Sequence, residues 1–197
     1  MADVTIENIK KLREATGAGM MDAKAALTEA KGDFDQAVEL MRLKGIAKAG
    51  KKADRVASNG VVQSYVHGDK IGVLVEINCE TDFVARTDDF KNFARDIAMH
   101  IAAANPSYVS NDTVDPEALQ KETATIKKEV AQSGKPAEFA DKMVEGKLKK
   151  WYEQVCLLDQ PFIKDDSKTI DQLTKELIGK LGENIVIKRF SRLELGE

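Results

Sequence analysis

The amino-acid sequence predicts an α+β protein. It reads as an N-terminal three-helix module, a linker, and a small antiparallel three-stranded sheet packed with helices that include a helical hairpin. Three observations predict this. Apolar residues recur at helical spacing from Ile6 to Met41. From Val61 the period changes to two, the spacing of a strand with one face inward. Helical periodicity resumes after Asp88 and gives way to a strand-like terminal run, NIVIKRFSRLEL.

Taken in order, residues 5–15 form a helix with Ile6, Ile9 and Leu12 as its apolar stripe, capped by Thr5 or Asp3. Thr16-Gly17-Ala18-Gly19 breaks the pattern. A second helix over 20–30 carries Met20, Ala23, Leu27 and Ala30 on one face, and Gly32 is placed for a left-handed cap. Asp33 caps a third helix, with Phe34, Ala37, Val38 and Met41 inward. These helices make the first module, residues 1–45. Residues 46–59 follow as a basic linker, helical at its start. From residue 44 to 59 five basic residues, Lys44, Lys48, Lys51, Lys52 and Arg55, stand against one acid, Asp54, and Gly45 and Gly50 interrupt the pattern. A solvated connection explains this stretch; phosphate binding would call for interleaved aromatics, which it lacks.

Residues 60–197 form the mixed domain. Ile71, Val73, Val75, Ile77 and Cys79 alternate with other residues and define one strand, 61–67 is its partner, and Gly68-Asp69 turns the chain between them. Asp88 or Asp89 caps a helix to about Ala104, with Phe90, Phe93, Ala94, Ile97 and Ile101 inward. Asp115-Pro116 opens a helix to about Gln132. Gly134-Lys135-Pro136 turns into another, and the two pair as an antiparallel hairpin with one buried stripe each. Residues 156–163 read as an extended connection. Lys168-Thr169 opens a last helix before the terminal strand.

Composition bounds the function. The 197 residues carry 33 acidic and 30 basic side chains, a formal net charge of −3, with 43% hydrophobic and 32% charged residues. At about 150 residues per domain this is one or two domains. Near-neutral charge argues against whole-surface nucleic-acid or membrane binding. The N-terminus has no apolar signal core and no run spans a bilayer, so the expected location is cytoplasmic. Two cysteines and two histidines support neither a disulfide framework nor a metal site, and no cofactor is expected. There is no phosphate-binding glycine loop and no dinucleotide fingerprint. His67 reads as a surface residue, His100 as a surface pair with Asp96, and Cys79 and Cys156 as buried. Asp88-Asp89 could bind a cation, but helix capping explains them better. With no reactive constellation, an enzyme is not expected.

Two stretches resist a purely structural account. In Thr16–Asp22, Met20 and Met21 follow a glycine turn, and adjacent helical residues cannot both point inward. One belongs to the core; the other is a candidate contact. In Thr81-Asp82-Phe83-Val84, just past a strand end, Phe83 either folds back on the core or stands out as a wedge for a partner's pocket.

The same stretches carry a family resemblance. The run LREATGAGMMDAKAALTEAKGDFDQAVELMR resembles the ubiquitin-associated-like module of bacterial elongation factor Ts, and INCETDFVAR carries that family's T-D-F-V signature. AMHIAAANP, QSGKP, MVEGKLKKW and QPFIKDDSKTI match further, in the family's order and over nearly the whole chain. The resemblance implies a guanine-nucleotide exchange factor for elongation factor Tu, binding it GDP-bound and nucleotide-free. By matching position, Asp82 and Phe83 intrude into the nucleotide domain and disturb its magnesium and phosphate site, with Thr81 and Val84 framing them. Leu12, Arg13, Gly19, Met20 and Met21 are the implied docking residues. The chain is short for this family, holding strands for one sheet where longer members have a doubled core, so the resemblance also implies a homodimer. It implies no membrane and no direct nucleic-acid contact. The alternative is a ubiquitin-type or ribosome- or RNA-binding adaptor without exchange activity, which leaves Thr81–Val84 unexplained.

Overall fold

The computed structural model describes residues 4–133 and 139–197. Asp3 and the expected Gly134-Lys135-Pro136 turn lie outside the described residues. The chain divides into two compact units assembled from separated stretches. One comprises the residues up to 61 with 77–92 and 172–186; the other comprises 62–76, 93–171 and 187–197.

The first unit opens with helices α1 (Ile6–Thr16), α2 (Met20–Glu29) and α3 (Phe34–Gly50). Thr5 caps α1, its hydroxyl accepting from the Asn8 amide at 3.2 Å. Gly17, at φ 66°, closes the helix by donating to the Arg13 carbonyl. Asp33 caps α3 through the Gln36 amide at 2.9 Å. Ile9, Leu12, Ala23, Ala26, Leu27, Ala30 and Ala37 form the buried core, with Phe34, Val38, Leu40 and Met41 packed around it. Small alanines let the three helices approach closely, so two leucines and one isoleucine suffice to fill the centre. Ile6 is not part of the stripe; it is 70% exposed.

The third helix continues to Gly50, through the first residues of the basic stretch. Gly45 does not interrupt it. The helix meets α8 (Ile170–Leu181) there, and a Cβ added at Gly179 would lie 2.8 Å from the Gly45 Cα. Two glycines therefore permit contact between helix backbones at a distance side chains would forbid.

The sheet has the order β1–β2–β5, from Asn59–His67, Ile71–Cys79 and Ile185–Glu194. Gly68 and Asp69, at φ 55° and 59°, make the expected hairpin turn in the handedness that matches strand twist. The central strand buries Val73, Val75, Ile77 and Cys79, as its alternation predicts. Helix α5 (Asp88–Ala104) buries Phe90, Phe93, Ala94, Ile97 and Ile101. Its cap is Thr87, whose hydroxyl accepts from the Phe90 amide at 3.3 Å, rather than Asp88 or Asp89.

Helices α6 (Pro116–Gln132) and α7 (Ala140–Val155) pair in the second unit. Ile126 and Val130 of α6 are buried, whereas no residue of α7 is, so the expected second stripe is only half covered. The extended connection expected at 156–163 is instead a 3₁₀ turn, Leu157–Asp159, followed by a two-stranded antiparallel ribbon of β3 (Pro161–Phe162) and β4 (Asp165–Thr169). The polar run Asp165–Thr169 has no apolar alternation to announce a strand.

His100 departs from the surface reading. It is fully buried, its Nε2 lies 3.0 Å from Gln160 Oε1, and its Nδ1 accepts from the Ile163 amide at 3.3 Å. This arrangement suits a neutral ring that donates from Nε2. Burial pushes its pKa down, partly offset by the Gln160 hydrogen bond. Asp96 pairs instead with Lys164 at 2.6 Å.

Candidate partner-binding site

The strand β2 ends at Cys79, buried, its thiol donating to the Thr81 carbonyl at 3.1 Å. The chain then turns sharply into α4 (Asp82–Ala85). A helix of one turn cannot sustain itself and must be held by its surroundings. Three sets of contacts hold this one. The Thr81 hydroxyl caps it, accepting from the Val84 amide at 3.4 Å. Ala85 is buried beneath it. Glu183 receives the Glu80 amide at 3.1 Å, the Thr81 amide at 3.0 Å and the Thr81 hydroxyl at 2.6 Å.

The clamp is reciprocal. The Glu80 carboxylate accepts from the Asn184 amide at 2.7 Å, and the Asn184 side chain donates to the carbonyls of Ala53 and Arg55 at 3.2 and 2.8 Å. The Asn59 side chain donates to the Glu80 carbonyl at 2.8 Å. Nothing local in the sequence marks Glu183 or Glu80 as a pair. A glutamate after a helix-ending glycine looks like ordinary solvated turn, and only the fold brings the two turns together.

On this held turn Phe83 is 78% exposed. It does not fold back on the core. Asp82 beside it is also exposed and pairs with Arg86 at 2.9 Å. Val84 is half-buried and Thr81 half-buried, so the four residues divide into an outward pair and an inward frame. An outward phenyl beside a carboxylate has no intramolecular reason; its burial in a partner would release apolar surface from water.

The N-terminal candidates lie in the same compact unit. Arg13 and Gly19 are exposed. Met20 and Met21 are 40% and 77% exposed, so neither is core filler; Ala23, Ala26 and Leu27 supply the inner face of α2. Leu12, expected among the docking residues, is 0% exposed and packs in the three-helix core, so its side chain does not reach the surface. Gly17 packs on Lys180: a Cβ there would meet the lysine stem at 2.5 Å. Lys180 in turn pairs with Asp89 at 2.7 Å.

A third surface lies in the second unit. Val62, Val66, Leu74 and Leu193 are exposed at strand positions that alternate with covered ones, and Leu195, in the turn just after β5, is exposed beside them in sequence. Solvent-facing strand positions are ordinarily polar. Glu76 and Arg189, paired at 2.7 Å, join β2 to β5 beside these residues. His67 is exposed, as expected, with Nδ1 3.1 Å from the Tyr65 hydroxyl. Among the described residues, no group of three or more His, Cys, Asp or Glu could hold a metal ion, and no helix is long and apolar enough to cross a membrane.

Comparison with known proteins shows the family to which the chain belongs. The family model for elongation factor Ts matches residues 2–197. The chain is 57% identical over 195 residues to the elongation factor Ts of Carboxydothermus hydrogenoformans, covering 98% of this chain and 90% of that one. It is 55% identical over 195 residues to that of Acetivibrio thermocellus, covering 98% and 91%. It is 53% identical to that of Caldanaerobacter subterraneus over 195 residues, covering 98% of each. With matches that run end to end, the chain belongs to the elongation factor Ts family.

Proposed function

We propose that this chain is a guanine-nucleotide exchange factor for elongation factor Tu, acting in the cytoplasm during translation elongation. The observation that carries the reading is Phe83, exposed on a backbone turn held by the Glu183 carboxylate and the Thr81 cap. Asp82 and Phe83 enter the nucleotide domain and disturb its magnesium and phosphate site. Magnesium bridges phosphate oxygens to protein ligands, so displacing it weakens nucleotide binding. Linkage makes the effect mutual: bound nucleotide weakens the exchange factor by the same factor, so GDP leaves and incoming GTP ejects the factor. No bond is made or broken, and no cofactor is called for.

The labour divides along the chain. Residues 1–45 dock, through Arg13, Gly19, Met20 and Met21; the basic 46–59 stretch joins them to 60–197, which carries exchange and dimerisation. The dimer is favoured by the exposed apolar strand positions Val62, Val66, Leu74 and Leu193, with Leu195 just after the last strand. Gly72, Ser64 and Ser191 are small neighbours among them, so a second copy can lie sheet on sheet at about 10 Å, in a self-complementary two-fold contact. Placing charge there, as Leu193→Glu with Leu195→Glu, gives a monomer by light scattering at micromolar concentration.

The test of exchange is release of fluorescent GDP from elongation factor Tu under catalytic amounts of the chain. Burying a phenyl contributes roughly 1.5–3 kcal/mol, so Phe83→Ala slows release by one to two powers of ten. Phe83→Ala at the wild-type rate contradicts the assignment. Binding without any release favours the adaptor reading.

A further inference from the structure

We infer that Glu183 is a positioning residue for nucleotide exchange: its carboxylate sets the turn that presents Phe83, without touching the partner. The inference rests on the wedge reading above. One carboxylate accepts three hydrogen bonds, from the amides of Glu80 and Thr81 and from the Thr81 hydroxyl, at 3.1, 3.0 and 2.6 Å. Both carboxylate oxygens are committed, so the side chain fixes position and direction together.

The Thr81 hydroxyl has a single proton, and it goes to Glu183 Oε1. A lone pair is thereby turned to the Val84 amide, which caps α4. The carboxylate thus orients the cap, and the cap orients the turn that carries Asp82 and Phe83. Glu183 itself is tied down by its neighbour, since Asn184 donates its amide to Glu80 and its side chain to Ala53 and Arg55. The turn after α8 and the turn before α4 each satisfy the other's backbone. The hydrogen bonds of this network are part-buried, and they fix the backbone on which an outward phenyl stands.

A wedge works only if it is stiff. A phenyl on a loose loop spends its burial energy on ordering that loop, whereas a preset one delivers it to the partner. Loosening the turn therefore lowers the exchange rate at saturation while leaving the docking surface of Arg13, Met20 and Met21 intact. A glutamine at 183 retains one acceptor oxygen but turns an NH₂ group toward donors, so it holds part of the network only.

The experiment measures GDP release from elongation factor Tu as a function of exchange-factor concentration. The proteins are the wild-type chain, Glu183→Ala, Glu183→Gln, Phe83→Ala, and Phe83→Ala combined with each Glu183 variant. The expected result is a plateau rate about tenfold lower for Glu183→Ala, less for Glu183→Gln, with the half-saturating concentration unchanged. In the Phe83→Ala background neither change lowers the rate further. If Glu183→Ala lowers the melting temperature, Glu183→Gln is the variant read. Wild-type plateau rates for the Glu183 variants beside a slow Phe83→Ala overturn the clamp alone. An undiminished further loss in the combined variants also overturns it, because the carboxylate would then act on something other than Phe83. Phe83→Ala at the wild-type rate overturns the wedge reading, and the clamp with it.

Discussion

Two turns in this protein expose apolar side chains at the start of a helix, and they are built in opposite ways. At Thr81 the turn into α4 has a side-chain cap, a buried residue beneath it and a carboxylate binding its backbone. At Gly19 the turn into α2 has no side-chain cap, and the exposed residues are methionines. A phenyl has few rotatable bonds and a fixed shape; a methionine is unbranched and adaptable. The first turn is suited to force a partner's atoms aside. The second is suited to hold on to a surface whose details vary. In the proposed mechanism the difference separates two tasks, displacement and docking.

The largest effect that would sharpen this contrast comes from the N-terminal core. Leu12→Ala removes a fully buried leucine from a small core, at a cost of about 2–5 kcal/mol. The three-helix module should lose its cooperative melting, by circular dichroism, and the half-saturating concentration for exchange should rise while the plateau rate stays. A fall in plateau rate instead would break the division of tasks. Next in size, Met20→Ala with Met21→Ala should raise the half-saturating concentration about tenfold with little change in melting temperature, since Met21 is 77% and Met20 40% exposed and neither belongs to the buried core. Gly179→Ala comes third. Its Cβ would meet the Gly45 Cα at 2.8 Å, so α3 and α8 must part. Overpacking of this kind costs roughly 1–3 kcal/mol, read as a lower midpoint in urea.

Much of this contrast was legible in the sequence. Alternation located β2, glycine and aspartate located the hairpin turn, and Asp33 and Thr5 announced their helices by the chemistry of capping. The Thr81–Val84 stretch stood out because alternation stopped there with a phenylalanine among polar residues. What the sequence hid was long-range. Gly45 looked like a break, and only α8 shows that it is a contact point. His100, on a helix with Asp96 four residues before it, looked like half of a surface pair. It is buried because Gln160 and Ile163, sixty-odd residues away in the chain, satisfy both ring nitrogens. Ile6 fitted the apolar stripe by spacing, but α1 ends its contact with the core at Ile9. Glu183 carried no local signal, because its hydrogen bonds cross about a hundred residues of sequence.

The smallest expected effect concerns pH and lies away from both turns. His100 has a pKa held below its ordinary value by burial. Its unfolded form takes up a proton as pH falls through about 6.5, while the folded form does not. The unfolded state then binds more protons, so stability is complete above that pH and declines as pH falls toward the lowered folded value. The difference in unfolding free energy between wild type and His100→Asn should therefore narrow as pH falls below about 6.5. A difference that stays constant with pH would show that the ring titrates alike in both states.

In the proposed mechanism displacement and docking are carried by different turns. The most direct measurement is a concentration series of GDP release from elongation factor Tu, comparing Phe83→Ala with the Met20→Ala, Met21→Ala pair. The expected result is a lower plateau at little-changed half-saturation for Phe83→Ala, and the reverse for the methionine pair. Movement of the same parameter by both, or an unchanged plateau for Phe83→Ala, would contradict it.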